Sequence, residues 1–322
     1  MRYYCTYFDI NYLAHGLTLY KSLRAVSAAG FHLWVLCFDE ETFEALKAMD
    51  LPGLQPVSLT EFERDDEALL HAKSNRSRVE YYFTCTPSWP LWLLRRYPDV
   101  DLVTYLDADI MFHSNPEPIF EELGDRSVLI VGHRFPERLR SLEIHGIYNV
   151  GLVSFRNDSP GRECLDWWRA RCLEWCYDRV EPGRFADQKY LDNWPELFTG
   201  VVVLDNPGAG VAPWNWQNYR IETDCGRILI DGTPLIFYHY HGFKVLNRWL
   251  FDTGVAKYGA MSAAVRAILY RPYIVEIKES YNMVKAIVPQ SPARHSDARF
   301  GTRRWTKILK RMRSGDVILS CR

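Results

Sequence analysis

The chain has 322 residues, of which 48% are hydrophobic and 25% charged, with a formal net charge of −1. Those are the values of a globular protein long enough to bury a large core without cross-links. Near-neutrality excludes a polyanion binder over the chain as a whole, and with it a nucleic-acid partner. The charge is nevertheless uneven. From Arg294 onward nine Lys or Arg stand against two Asp, a surplus of +7 that leaves −8 for the rest. Eight cysteines without a CxxC pair, several inside apolar runs, suit reduced core thiols in a reducing compartment. The stretch MRYYCTYFDIN has no apolar signal region, and no run of about 18 apolar residues exists to span a bilayer. A cytoplasmic location is expected.

In chain order, "RYYCTYF" (2–8) reads as a first strand, and "YLAHGLTLYKSLRAV" (12–26) as a helix with Leu13, Leu17, Tyr20, Leu23 and Val26 on one face. "HLWVLCF" (32–38) is a second strand, "EETFEALKAM" (40–49) a second helix and "LQPVSL" (54–59) a short third strand. A helical stretch from Arg78 to Arg95 contains Pro87 and Pro90 and is expected to break there. "LVTYL" (102–106) is the fourth strand. This alternation implies an α/β fold with a parallel sheet, in which ligands sit beyond the carboxyl ends of the strands. "YNVGLVSF" (148–155) adds a strand, "GRECLDWWRARCLEWCYDRV" (161–180) a long amphipathic helix, and "FADQKYLDNWPELF" (185–198) a short helix stopped by its proline. "LIFYHYHGF" (235–243) is a late strand, followed by a helix-rich C-terminal part. Cys172 and Cys176, four apart on the long helix, lack nearby His partners and are read as core packing rather than a metal pair.

"LVTYLDADIMF" (102–112) ends a buried-looking strand on two carboxylates, Asp107 and Asp109, separated by Ala108. On an extended chain, side chains two apart point the same way. Two carboxylates so placed repel, and a hard divalent cation carrying phosphate oxygens on its far side would join them. Local turn chemistry is the plainer alternative for the same two aspartates.

"TYLDADIMF" (104–112) resembles the D-x-D segment of GT-A type nucleotide-sugar glycosyltransferases, closest to the glycogenin and lipooligosaccharide galactosyltransferase family. "YNVGLVSFRN" (148–157) is similar to that family's F-N-A-G strand, "ADQKYLDN" (186–193) to its D-Q-D-x-x-N segment, and "HYHGFK" (239–244) to its H-F-x-G-x-x-K-P-W segment. The order and rough spacing agree over residues 1 to about 250. The resemblance implies a GT-A, Rossmann-like, mostly parallel sheet flanked by helices. It divides the chain into a catalytic domain over 1–250 and a helical C-terminal region over 251–322. It also implies transfer of a sugar from a nucleotide-diphosphate donor, by preference a UDP-sugar, to a glycan or lipid-linked saccharide, with retention.

The same resemblance assigns roles. Asp107 and Asp109 hold Mn2+ or Mg2+, joined by His239, with His241 two residues on as the alternate ligand. Gly242 lets the backbone approach the phosphates, and Lys244 faces the β-phosphate. The lysine follows the glycine by two residues instead of three, and Val245 and Leu246 replace P-W. Asp187 and Gln188 line the sugar pocket and Asn149 contacts the donor. Helix capping by Asp187 and strand-edge bonding by Asn149 are the structural alternatives. Thr6, Tyr7, Asp9 and Asn11, in "TYFDIN", are the nucleotide contacts, with Tyr7 stacking on the base and Asp9 accepting from it; Asp9 would equally cap the next helix. The family's arginine before D-x-D has Arg76 and Arg78, beside Lys73, as candidates.

Trp214 and Trp216, in "GVAPWNWQNY" (210–219), suit an acceptor-sugar platform or the core. "RFGTRRWTKILKRMR" (299–313) sets Trp305, Ile308, Leu309 and Met312 on one helical face amid basic residues, the pattern of an interfacial helix on anionic lipid at the inner face of the cell membrane. Three other readings compete: a sugar-phosphate nucleotidyltransferase, which would need a Gly-rich, Arg-bearing loop absent from "YFDINYLAHG"; a glycoside hydrolase working without metal; and a non-catalytic sugar-nucleotide-binding protein.

Overall fold

The computed structural model describes residues 1–247, 249–289 and 317–319. Four strands, β1 (Arg2–Phe8), β2 (Phe31–Cys37), β3 (Leu54–Ser58) and β4 (Leu102–Leu106), run parallel in the order β3-β2-β1-β4. The helices between them are α1 (Leu13–Val26), α2 (Glu40–Met49), the short α3 (Leu59–Glu63) and α4 (Glu67–Ser74), and α5 (Arg78–Arg96). Beyond β4 come β5 (Ile110–Phe112), α6 (Glu117–Leu123), β6 (Val128–Gly132), β7 (Tyr148–Arg156), α7 (Ser159–Glu174), α8 (Trp194–Leu197) and β8 (Val201–Leu204). Strand β7 inserts antiparallel between β4 and β6, and β8 lies parallel on β6, so a single antiparallel strand interrupts a seven-stranded parallel sheet.

The two-residue period of the strands divides the core. Tyr4, Leu33, Val35 and Leu106 face the layer that holds α1 and α2, whereas Cys5, Trp34, Leu36 and Tyr105 face the layer that holds α5 and α7. A small meander, β9 (Ile221–Asp224), β10 (Arg227–Ile230) and β11 (Thr233–Pro234), leads into β12 (Phe237–His239), which pairs antiparallel with β5. Strands β13 (Lys244–Val245), β14 (Leu250–Asp252) and β15 (Val317–Leu319) form a third small sheet, and the 25-residue α9 (Ala263–Ile287) packs on α1. Among the described residues no helix is long and apolar enough to cross a membrane.

Several sequence expectations are corrected. Helix α5 does not break at Pro87 and Pro90 but runs through both. Hydroxyls within the helix bond carbonyls four residues back: Thr84 Oγ1 donates to Glu80 O at 2.8 Å and Ser88 Oγ to Thr84 O at 3.4 Å. Burial of Trp89, Leu93 and Leu94 between sheet and α7 outweighs the bonds the prolines lose. Helix α7 ends at Glu174 rather than continuing to Val180, because Arg76 Nη2 takes the Leu173 carbonyl at 2.7 Å and Trp175 turns extended into the core. Pro195 opens α8 instead of stopping a helix, since a first-turn residue has no N–H to lose. The late strand also shortens to three residues, limited by the length of β5. Cys172 and Cys176 are buried, as core thiols should be. The basic segment 299–313 lies outside the described residues.

Candidate active site

The D-x-D pair does not sit on an extended strand. Residues 107–109 form the turn between β4 and β5, closed by Ile110 N donating to Asp107 O at 3.2 Å. The backbone of Asp107 donates to Gly151 O on β7 at 2.9 Å, and Tyr240 N donates to Asp109 O at 2.9 Å. The turn is thus tied to both neighbouring strands, and β12 carries His239 to the position opposite Ile110. Nε2 of His239 lies 3.0 Å from Asp109 Oδ1 and 3.6 Å from Asp107 Oδ2. Gly151 makes the approach possible: a Cβ there would stand 2.8 Å from His239 Nδ1 and 2.6 Å from Asn149 Oδ1.

Asp109, His239 and His241 bring one ligand atom each within 4.8 Å of one another. His239 is 3% exposed, and its Nε2 lacks a partner in hydrogen-bond geometry despite the adjacent carboxylates. A cation shared between these groups would satisfy that nitrogen, so the residues fit a divalent ion. The mixed carboxylate and imidazole set suits Mn2+ better than Mg2+, which keeps to oxygen. Asp107 stands apart from this cluster of three, with Oδ1 accepting from the Tyr105 hydroxyl at 2.8 Å.

The electrostatics follow from burial and charge. Burial works to raise the Asp109 carboxyl, but His239, His241 and His15 outweigh it and hold the group below the usual carboxylate range. Burial and neighbouring Asp109 raise Asp107, against the pull of His239. Desolvation opposes charge on His239, yet Asp109 and Asp107 carry its net shift upward.

Asp107, His239 and His241 form one wall of a cavity of about 580 Å³, within the range of small-molecule sites. Tyr7, Asn149, Asp187 and Gln188 also line it, so the structure brings these sequence candidates together. Asp187 does not cap a helix. Asp187 is 5% exposed, and its carboxyl is pushed up to about 7 by burial, with the neighbouring Thr86 side chain pulling down and Asp107 pushing up. Gln188 is oriented by Nε2 donating to His145 O at 3.1 Å, which turns Oε1 toward Asn149 Nδ2 at 3.4 Å. Asn149 Oδ1 accepts from Gly151 N at 2.9 Å.

Other candidates stand elsewhere. Thr6 is buried within β1 and does not line the cavity. Asp9 accepts from Asn11 N at 3.0 Å and from Arg78 Nη2 at 2.9 Å, and Arg78 also bonds the Tyr82 hydroxyl. Helix α1 begins without a side-chain cap. Arg76 is tied to Thr84 Oγ1 at 2.6 Å and to the end of α7. Ala108 is buried in the turn, and Gly242 adopts φ +75° beside Gly254, where a Cβ would meet Gly242 O at 2.8 Å. Lys244 is exposed on β13 and is absent from the cavity wall. Trp214 is buried in that wall, 5.4 Å from the His239 ring and 5.6 Å from that of His241, while Trp216 packs against the core.

Sequence reasoning passed over several residues in or near the wall. His133 stacks on Phe135 at 4.6 Å and 8°. Lys257 and Tyr258 reach the wall from the turn after β14, pressed home by the Gly242–Gly254 contact. Tyr12, 46% exposed, has a hydroxyl on which Asp109, Asp107 and Asp9 all bear, after burial, as causes of its raised pKa. Of these only Lys257 left a trace, as a lysine fifteen residues beyond Gly242.

The sheet, its single antiparallel strand and the D-x-D turn at its rim define the GT-A fold. The chain is similar to galactosyltransferase LgtC crystallised with donor and acceptor sugar analogs, at TM-score 0.54 and 19% identity over 86% of this chain and 95% of that one. An active-site mutant of LgtC aligns at TM-score 0.52 and 19% identity, over 83% of this chain and 100% of that one. The chain belongs to the family of the Bacillus subtilis proteins YfnF and YfnD, both described as uncharacterized. It is 36% identical to YfnF over 252 residues, 76% of this chain and 82% of that protein. It is 34% identical to YfnD over 262 residues, 80% and 83% respectively. No protein-family profile matches the chain.

Proposed function

We propose that the protein is a metal-dependent glycosyltransferase that moves a sugar from a UDP-sugar to a glycan or lipid-linked acceptor, with retention. The observation that carries this reading is the convergence of Asp109, His239 and His241 on one point at the edge of a cavity that also holds Asp187, Asn149 and Gln188. Bound there, Mn2+ supplies positive charge to a departing diphosphate. Asp109, His239 and His241 would hold the cation, with Asp107 beside them. The ammonium of Lys257, in the same wall, adds a fixed positive charge for the leaving group, a place the family resemblance gives to Lys244. Asp187, Gln188 and Asn149 read the sugar hydroxyls, and Gln188 does so in an orientation fixed by the His145 carbonyl. Tyr12, half exposed beside the carboxylates, offers a ring for the base, while Tyr7 forms part of the cavity wall.

Incubation with UDP-, GDP- and TDP-sugars plus Mn2+ tests the reading through slow donor hydrolysis. Nucleotide release from the UDP donor that EDTA abolishes is the expected result. Release that EDTA leaves untouched points to the hydrolase, and release of pyrophosphate from a nucleoside triphosphate plus sugar phosphate to the nucleotidyltransferase. The basic segment 299–313 is proposed to rest on anionic lipid, which brings a lipid-linked acceptor to the cavity. Sedimentation with phosphatidylserine vesicles but not phosphatidylcholine vesicles, lost in high salt, is the corresponding result.

A further inference from the structure

The cavity wall has two kinds of lining. Asp107, Asn149, Asp187, Gln188, His239 and His241 make its polar part. Phe83 of α5, Phe135, Leu142 and Phe185 bring apolar side chains to it from four separate stretches of chain. Phe135, Leu142 and Phe185 are only partly buried, and none of the three packs against either of the two large cores. Their apolar surface therefore does little for folding. Leu142 sits on a 3-10 helix, Glu137–His145, that contains no buried residue. Three residues make one turn of such a helix, so Leu142 and His145, both in the wall, share one face of it. Phe185 meets the His145 ring edge-on at 4.7 Å, which joins it to that face. Polar bonds fasten the helix: Lys189 Nζ donates to Glu143 O at 2.8 Å, Gln188 Nε2 to His145 O at 3.1 Å and, just beyond, Ile147 N to Asp192 Oδ1 at 2.7 Å. Ile144 and Ile147, 54% and 44% exposed, flank His145 at this rim.

We propose that this apolar lining binds an uncharged apolar aglycone, so that the compound receiving the sugar is a glycoside bearing an alkyl or aryl group rather than a free, wholly polar saccharide. The proposal rests on the glycosyl-transfer reading for its meaning, though not for its test. Three observations select this occupant. Asp9 and Tyr12, where the donor base is expected, do not line the cavity, so the base does not claim the apolar part. Among the described residues Lys257 is the one Lys or Arg in the wall, and the transfer reading commits it to the diphosphate. No second cation is left there to neutralise a phosphate or carboxylate on the acceptor. Finally, a sugar ring wants an aromatic face, whereas Leu142 offers apolar area without a ring and gains from covering it. The location also suits an acceptor. Leu142 lies one helical turn from the His145 carbonyl that orients Gln188, which sets the aglycone beside the sugar pocket.

The test titrates the full chain with methyl, phenyl and octyl glucoside by calorimetry, the octyl compound below its micelle threshold. The sugar is common to all three, so the comparison reads the aglycone alone. The tighter of the two apolar glucosides is expected to bind at least about tenfold more tightly than methyl glucoside. Octyl ahead of phenyl assigns a lipid chain as the source, and phenyl ahead of octyl an aryl group. Leu142→Asp should erase the preference and Leu142→Ala reduce it, both with wild-type melting temperature, since the helix that carries Leu142 buries none of its residues. Val275→Asp, on the exposed face of α9 and outside the cavity wall, should keep the preference of wild type. Equal affinities for the three glucosides overturn the proposal, and so does a preference that survives Leu142→Asp or that Val275→Asp removes as well. Release of UDP from UDP-sugars with Mn2+ and no acceptor is read separately. A chain that releases none yet shows the Leu142-dependent preference loses the transfer reading and keeps the apolar site.

Discussion

Asp187 is a carboxyl that folding has made reluctant to ionise. In the unfolded chain it loses its proton near the ordinary carboxylate value; in the fold, burial and then Asp107 hold the proton to about 7. The folded state therefore binds the extra proton between those values, and stability falls as pH rises through that window, by at most about 1.4 kcal/mol per pH unit. Asp187→Asn should flatten this fall and melt higher than wild type at pH 7.5 in EDTA, while donor turnover drops. Calorimetry of both chains from pH 5 to 7.5 checks it, and parallel melting curves would mean that Asp187 is solvated. Lysine offers a second residue-scale contrast. Lys257 stands in the cavity wall and Lys244 does not. Lys257→Ala should cost about a hundredfold in kcat/KM, and Lys244→Ala at least about tenfold less than that; the reverse ranking would return the diphosphate to the lysine of the H-x-H-G segment.

Among the elements, what the sequence revealed and what it hid have separate causes. Strands β1 to β4 and helices α1 and α2 fell within a residue or two of their expected bounds, because apolar periodicity and burial agree there. The motif residues Asp107, Asp109, Asn149, Asp187, Gln188, His239 and His241 were legible as types at spacings, and the cavity gathers all but Asp109 into its wall, with Asp109 joined to two of the histidines at its edge. Helix α5 was misread because propensity counts prolines one at a time, whereas the fold sets their cost against buried Trp89 and the hydroxyl bonds within the helix. Lys257, His133 and Tyr12 were hidden since their places depend on close approaches, such as Gly242 on Gly254, that no period encodes. The start of α5 is the element's own anchor. Ser77 accepts from Glu80 N, and the Glu80 carboxylate accepts from Ser77 N at 2.8 Å, a reciprocal capping box. Glu80 also accepts from Asp178 N at 3.1 Å, tying the helix to a loop at the cavity wall. Ser77→Ala should destabilise the chain by about 1 kcal/mol in urea unfolding, without changing the slope of the transition.

At the scale of the molecule, the proposed cation site is where distant parts of the chain meet. Asp109 closes the first half of the sheet, whereas His239 and His241 come from a strand and turn about 130 residues later, a separation visible in the numbering alone. Around that meeting point the late segment is fastened by aromatic packing: Tyr240 stacks on Tyr273 of α9 at 3.7 Å, and the Tyr273 hydroxyl bonds His15 of α1 at 2.8 Å. The site concentrates two carboxylates around one histidine. A divalent ion held by Asp109, His239 and His241 would offset that repulsion, and because the unfolded chain cannot assemble the three ligands, its binding energy would add to folding stability. Melting temperature should therefore climb with Mn2+ concentration, reaching about 2.7 kcal/mol of stabilisation at a hundred times the dissociation constant, and return to its starting value with excess EDTA. Asp109→Ala and His239→Ala should each abolish the response, while Asp107→Ala, which leaves the cluster of three intact, should weaken it less. A melting curve indifferent to Mn2+ in the wild-type chain would mean that the converging groups are held together by hydrogen bonds and charge alone, and that turnover, if found, uses no cation.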